Sequence, residues 1–105
     1  MADSYDAIIV GGGHNGLVCA AYLAKAGQNV LVLERRDQVG GACITEELFP
    51  GYRFSACSYY CYLLQAKVIE DLELRRHGFH VTPLDPLKCC LFPDDRALLT
   101  WDNNA

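Results

Sequence analysis

The sequence predicts an α/β fold that opens with a βαβ unit and continues with a helix and a β-hairpin. Three observations predict the opening unit: two short apolar runs rich in β-branched residues, a glycine-rich turn after the first run, and a helix-like stretch of small apolar residues between the runs. The chain has 105 residues, of which 51% are hydrophobic and 21% charged. It therefore forms at most one small domain and is neither disordered nor of low complexity.

The βαβ unit is predicted over residues 5–34. Its strands are expected at residues 6–10 and 29–33, where apolar character is continuous rather than alternating. Such continuity is typical of parallel strands that are covered on both faces. The intervening helix is expected over residues 16–26, and Gly27 is expected to end it.

The turn between the first strand and the helix has the spacing G-x-G-x-x-G. Gly11 permits the tight turn, Gly13 lets the backbone approach a pyrophosphate, and Gly16 lets the helix pack close to the strand. The helix N-terminus adds unpaired N–H groups and about half a positive charge. We therefore expect phosphate binding here, with the candidate residues Gly11, Gly12, Gly13, His14, Asn15 and Gly16.

An acidic residue, Glu34, ends the second strand and follows Gly16 by 18 residues. From this position a carboxylate accepts hydrogen bonds from the ribose hydroxyls of an adenosine, so the unit is predicted to be a Rossmann-like dinucleotide-binding unit. The carboxylate disfavours NADP because it repels a 2′-phosphate, a repulsion that Arg35 and Arg36 would have to overcome. The glycine spacing does not distinguish NAD from FAD.

A second glycine pair, Gly40 and Gly41, lies in a predicted loop over residues 35–48. The pair indicates another place where the backbone approaches a ligand closely, and local chemistry equally allows an ordinary loop turn. Beyond the loop, a helix is predicted at about residues 65–77 and a hairpin at about residues 89–101. The aromatic residues of the segment 49–62 are expected in core packing, with contact to a flavin or a substrate as the alternative.

Residues 5–45, with Glu34, the second glycine pair and the segment Phe49-Pro50-Gly51-Tyr52, closely resemble the N-terminus of FAD-dependent oxidoreductases. The nearest group is the phytoene desaturase and carotenoid isomerase-like branch, which includes the pyridine nucleotide-disulphide oxidoreductase domain-containing proteins. The resemblance implies that residues 1–105 are the N-terminal part of an incomplete FAD-binding domain.

By this resemblance the cofactor is FAD, and the first glycine turn would hold its pyrophosphate. Glu34 would hold the adenosine ribose, and Arg35 would lie beside the adenosine. Gly40 and Gly41 would line the pyrophosphate and ribityl side. Many members of this group have arginine directly after the second pair, whereas this chain has Ala42, which cannot make that polar contact.

The cysteines argue against a disulphide reductase. Such enzymes have one cysteine two residues after the glycine pair and another five residues later, whereas this chain has Cys43 and then Leu48. The six cysteines and three histidines form no zinc spacing, so no metal is expected. Without an export signal, the thiols are expected to be reduced and buried.

The expected function is that of the FAD-binding N-terminal segment of a dehydrogenase- or desaturase-like oxidoreductase. Its partners would be a small organic substrate, with an apolar one among the candidates, and the missing remainder of the enzyme. Catalytic residues cannot be named from this stretch. The isolated chain is expected to be marginally stable, to bind FAD weakly if at all, and to be inactive. The alternatives are an NAD-dependent dehydrogenase domain, or a truncated non-catalytic module that pairs with a full-length flavoprotein.

Charge and hydropathy exclude other classes of function. The formal net charge of −4 gives no electrostatic reason to expect binding to nucleic acid. No apolar run approaches the roughly 20 residues of a membrane span, and no targeting leader is recognisable. We therefore expect a soluble, cytoplasmic protein.

Overall fold

The computed structural model describes residues 4–61 and 63–101. Its opening unit has three elements: β1 (Ala7–Val10), α1 (His14–Lys25) and β2 (Val30–Leu33). The two strands pair in parallel, with Ala7 opposite Val30 and Val10 opposite Leu33. After α1 the chain turns at Gly27, whose φ is +86° and whose N–H donates to the carbonyl of Ala24. The predicted βαβ unit and the glycine at its helix end are confirmed.

Only one face of this two-stranded sheet is covered. Ile9 faces α1, because a Cβ placed on Gly16 of that helix would lie 3.2 Å from the Cγ2 of Ile9. Ile8, Val10 and Leu33 are exposed, and Val10 keeps 85% of its surface accessible. The expectation that both faces are covered is therefore wrong for the described chain, since its other two sheets do not join this one.

The predicted loop over residues 35–48 is shorter than expected because its last part is a strand. A 3₁₀ turn over Gly41–Cys43 is followed by an antiparallel hairpin of β3 (Thr45–Phe49) and β4 (Tyr52–Ser55). The hairpin turn is held by the Glu47 carboxylate, which accepts the Gly51 N–H at 2.8 Å. Ladder hydrogen bonds and this turn thus organise residues that the sequence analysis assigned to a loop.

The helix predicted at residues 65–77 is two short pieces. An α-helix, α2 (Ala66–Asp71), is followed by a 3₁₀ turn over Leu74–His77. Between them Glu73 adopts the left-handed conformation with φ +49°, which an α-helix cannot continue through. Gly78 ends the second piece with φ +89°, as expected for the residue that stops this segment.

The last elements form the predicted hairpin, β5 (Lys88–Leu91) and β6 (Ala97–Thr100), with Cys90 opposite Leu98. The Tyr60 hydroxyl donates to the Leu87 carbonyl at 2.9 Å and so links the preceding segment to this hairpin. The fold class is therefore confirmed as α/β, with a Rossmann-like unit followed by a helix and a β-hairpin.

The apolar core of the described residues is very small. Among apolar residues only Ala20, on α1, and Ile44, after the second glycine pair, are buried. The expected core packing of the aromatic segment is wrong for four of its members, which are between 45% and 80% exposed: Phe49, Tyr52, Phe54 and Tyr59. Tyr62 lies outside the described residues. The expectation of buried thiols is also wrong, because all six cysteines are free and exposed.

None of the helices in residues 4–61 and 63–101 has the length and apolar character that crossing a membrane requires.

Candidate dinucleotide-binding site

The first glycine turn leads directly from β1 into α1. Gly11 has φ +101°, a conformation that favours glycine, and its N–H donates to the Leu33 carbonyl at 2.8 Å. Gly13 is the N-cap of α1, and no side chain caps the helix within the described residues. The first helical hydrogen bond runs from the Leu17 N–H to the Gly13 carbonyl at 2.9 Å. The N–H groups of the first turn therefore lack intrahelical acceptors and can bind an anion.

Gly16 leaves no space for a side chain. A Cβ at this position would lie 2.4 Å from the carbonyl oxygen of Gly11 and 3.2 Å from the Cγ2 of Ile9. The helix can approach the turn and β1 this closely only because residue 16 is glycine. The packing role predicted for Gly16 is confirmed.

The Glu34 carboxylate lies against the glycine turn. Its Oε2 accepts the Gly12 N–H at 2.6 Å, and its Oε1 accepts the Arg36 N–H at 3.0 Å. The hydrogen bonds from Arg36 and Gly12, helped by the charge of Arg35, lower the pKa of Glu34 below its ordinary value of 4.5. A carboxylate has about four acceptor sites, so these backbone donors leave it capacity to accept from a ribose hydroxyl.

The second glycine pair packs on the first glycine turn. The Gly40 N–H donates to the Gly12 carbonyl at 2.7 Å, and Gly13 and Gly40 form a parallel β-bridge. A Cβ on Gly41 would lie only 2.9 Å from the Cα of Gly13. The sequence left open a close approach to a ligand and an ordinary loop turn for this pair. In the structure the pair lies against the backbone of the first glycine turn.

Gly12 is buried and uses both of its backbone groups within the protein. Its N–H donates to Glu34, and its carbonyl accepts from Gly40. A Cβ on Gly12 would lie 2.9 Å from the Cγ1 of Val39, which leaves no room for a side chain. In this structure Gly12 therefore joins Glu34 to the second glycine pair. The backbone N–H groups that can bind a ligand are those of the first turn of α1.

The remaining candidate residues surround this centre. His14 and Asn15 are exposed at the start of α1, Arg35 is exposed after β2, and Ala42 is exposed in the 3₁₀ turn. No group of three or more His, Cys, Asp or Glu side chains in the described part of the chain is arranged to hold a metal ion.

Ile44 is the site residue that the sequence analysis missed. It is 3% exposed, and a Cβ on Gly40 would lie 3.7 Å from its Cγ1. Its N–H donates to the Gly41 carbonyl at 3.3 Å. Ile44 thus packs beside the second glycine pair and supports it. The only sequence signal was an isolated branched apolar residue before the charged strand β3, which is too weak to predict burial.

The sequence profile of the NAD(P)-binding Rossmann-like domain family matches residues 9–72. The match spans both glycine segments and Glu34 and covers more than half of the chain. The protein therefore belongs to the NAD(P)-binding Rossmann-like domain family, a class of dinucleotide-binding proteins.

Three curated relatives of the chain have the names of oxidoreductases. The pyridine nucleotide-disulfide oxidoreductase domain-containing protein 2 of Mus musculus is 51% identical over 86 residues, which are 82% of this chain and 15% of that protein. A limonene dehydrogenase subunit of Castellaniella defragrans is 49% identical over 74 residues, 70% of this chain and 13% of that protein. All-trans-retinol 13,14-reductase of Danio rerio is 34% identical over 102 residues, 97% of this chain and 14% of that protein.

These names confirm the predicted resemblance to dinucleotide-dependent oxidoreductases. The chain is similar to one part of these relatives and spans only 13% to 15% of their length.

Proposed function

We propose that this chain forms the ADP-binding part of an FAD-dependent oxidoreductase that acts on an organic substrate. The observation that carries the proposal is the hydrogen bond between the Gly12 N–H and the Glu34 carboxylate. It places a carboxylate suited to ribose next to a helix N-terminus suited to phosphate, as an adenosine diphosphate requires.

In this proposal the N–H groups at the start of α1, from His14 to Gly16, hold the pyrophosphate. Glu34 accepts hydrogen bonds from the adenosine ribose, and Arg35 lies beside the adenosine. Gly40 and Gly41 support the first glycine turn and line the pyrophosphate and ribityl side. The bound flavin would supply the redox chemistry by accepting and releasing hydride equivalents.

FAD rather than NAD is supported by the combination of Glu34, the second glycine pair and the Phe49–Tyr52 segment, which resembles FAD-dependent oxidoreductases. For the whole protein we propose an apolar substrate, because two relatives are named for limonene and all-trans-retinol. Since the chain spans 15% of the mouse relative, we propose that the catalytic groups come from the rest of such a protein.

A titration tests the proposal. FAD is added to the purified chain, alone and with the remaining part of the mouse relative, and binding is followed by flavin fluorescence with ADP as competitor. We expect displaceable binding that Glu34→Gln weakens about ten-fold, because a hydrogen bond to a charged group is lost. Glu47→Gln is the matched control: Glu47 holds only the β3–β4 turn, and glutamine keeps an acceptor for the Gly51 N–H.

The same titration separates the alternatives. Binding of NAD without FAD would identify an NAD-dependent domain. Failure to bind either nucleotide, together with co-purification of a larger flavoprotein, would identify a non-catalytic interaction module. Binding of FAD that Glu34→Gln and Glu47→Gln weaken equally would contradict the proposed site.

A further inference from the structure

The residues after β2 carry two arginines whose side chains serve different acids. The Arg36 N–H donates to the Glu34 carboxylate, but the Arg36 guanidinium forms an ion pair with the Glu46 carboxylate on β3. Arg35 lies close enough to Glu34 for its charge to favour the ionised carboxylate. Arg36 thus forms an ion pair with a carboxylate, whereas the charge of Arg35 acts on the neighbouring Glu34.

The local charge balance leaves no surplus of positive charge at the ribose end of the site. Residues 34–37 and Glu46 of β3 together carry two positive and three negative side chains. The positive ones are those of Arg35 and Arg36. A 2′-phosphate would bring up to two further negative charges to a ribose beside Glu34. Binding it would need a cation that is not already engaged by a carboxylate.

We propose, on the basis of the proposed dinucleotide site, that Glu46 is a specificity-determining residue. Because Glu46 pairs with the Arg36 guanidinium, that cation is not available to neutralise a 2′-phosphate on the ribose. The site therefore takes dinucleotides with a free 2′-hydroxyl, such as FAD or NAD, and rejects NADP. Glu46 acts through Arg36 and is a positioning residue, whereas Glu34 is the residue proposed to contact the ribose.

The Arg36–Glu46 pair is partly exposed, with half of the Arg36 side chain and 34% of the Glu46 side chain accessible. Pairs of this kind are modest in energy, and breaking one changes an equilibrium by up to about five-fold. Rotation of the released arginine side chain requires no change in the glycine turn, because Glu34 is held by the Arg36 backbone and not by its guanidinium.

The test compares two probes, adenosine 5′-diphosphate and its 2′-phosphorylated form, by calorimetric titration of the full chain. We expect Glu46→Gln to raise the affinity for the 2′-phosphorylated probe relative to ADP about three-fold at low salt, with a smaller gain at high salt. The gain should vanish in the double variant Glu46→Gln/Arg36→Gln. The control Glu47→Gln alters the net charge equally on the same strand but leaves Arg36 paired.

A second variant keeps the test decisive if Glu46→Gln fails to fold. Arg36→Gln alone should leave the affinity ratio nearly unchanged, because Arg36 is already engaged. A ten-fold loss of affinity for the 2′-phosphorylated probe in Arg36→Gln would overturn the inference. An equal gain of that affinity in Glu47→Gln would also overturn it. So would an affinity ratio that Glu46→Gln leaves unchanged while ADP still binds. Failure of the wild-type chain to bind ADP even with the remaining part of the mouse relative present would overturn the proposed function, and this inference with it.

Discussion

At Gly41 two backbone segments meet at a distance that excludes any side chain. The residue has φ +57°, and a Cβ would lie 2.9 Å from the Cα of Gly13. A larger residue would therefore have to adopt a left-handed backbone and would also collide with the first glycine turn. Because the neighbour is backbone, it cannot move aside without changing the turn.

We expect Gly41→Ala to destabilise the chain and to weaken nucleotide binding. The matched control is Gly51→Ala in the β3–β4 turn, where φ is +82° but no atom lies within 4 Å of the added Cβ. The left-handed conformation costs both variants about 1–2 kcal/mol, whereas only Gly41→Ala adds the collision. Urea unfolding and ADP titration measure the difference. Equal effects of the two substitutions on both measurements would contradict the contact.

Glu34 makes the stability of the chain depend on pH. Its pKa is lowered in the folded chain, chiefly by the hydrogen bonds from Arg36 and Gly12. A lowered pKa means that the stabilisation is fully present above the unfolded value of about 4.5 and is lost as the pH falls through the folded value. The free energy of unfolding should therefore change less between pH 6 and about pH 3 in Glu34→Gln than in the wild type. Identical profiles would show that the carboxylate is not held by the turn.

At the scale of elements, α2 is attached to the C-terminal half of α1 by a polar cluster. The Tyr22 hydroxyl donates to the Asp71 carboxylate at 2.7 Å, and Lys67 pairs with the same oxygen at 2.8 Å. Lys25 donates to the Asp71 carbonyl. The hydrogen bond to Asp71 raises the pKa of Tyr22. Since α2 has no fully buried residue, these contacts hold it on α1.

We expect Tyr22→Phe to loosen α2 without altering the glycine turn. The lost hydrogen bond should raise amide hydrogen exchange in Ala66–Asp71 and leave exchange at Gly12 and Gly40 unchanged. Tyr52→Phe is the control, because the described residues offer this exposed tyrosine of β4 no hydrogen-bond partner. Faster exchange of α2 in both variants, or in neither, would contradict a specific role of Tyr22.

The sequence predicted best the elements that local pattern determines. The β1–α1–β2 unit followed from two apolar runs and a glycine turn, and Glu34 followed from its position at the end of a strand. The β3–β4 hairpin was missed, although Pro50-Gly51 is a turn signal, because charged residues hid its strand character. The break at Glu73 could not be predicted, since the residues around it have ordinary helix propensity.

For the site, the sequence identified the first glycine turn and its acid but not how the second pair is used. Contact between Gly41 and Gly13, the burial of Ile44 and the pairing of Arg36 with Glu46 join positions that are distant along the chain. Such contacts depend on tertiary packing and leave no local periodicity to detect.

The whole molecule exposes far more surface than a folded monomer of its mass. Its accessible area is 9063 Å², whereas a compact protein of 11.6 kDa exposes about 5,800 Å². The radius of gyration is 18.6 Å, against about 13 Å for a compact domain of this length. The strands of the described residues form three separate two-stranded sheets rather than one continuous sheet.

We therefore expect the isolated chain to be marginally stable and to gain stability from the remainder of a relative. Alone it should bind a hydrophobic dye and unfold over a broad temperature range; with the remaining part of the mouse relative, dye binding should fall and the midpoint should rise by several degrees. Calorimetry and small-angle scattering provide the measurements. A sharp transition with a radius of gyration near about 13 Å for the chain alone would contradict this.

The two hydrogen bonds of Gly12 have a consequence for how the chain can evolve. The Gly12 N–H binds the Glu34 carboxylate, and the Gly12 carbonyl accepts the Gly40 N–H. Both ends of the segment 35–39 are therefore attached to Gly12. An inserted or deleted residue between them would detach one end. Relatives that retain this site should keep the length of the segment even where its side chains differ, which a comparison of their sequences can check.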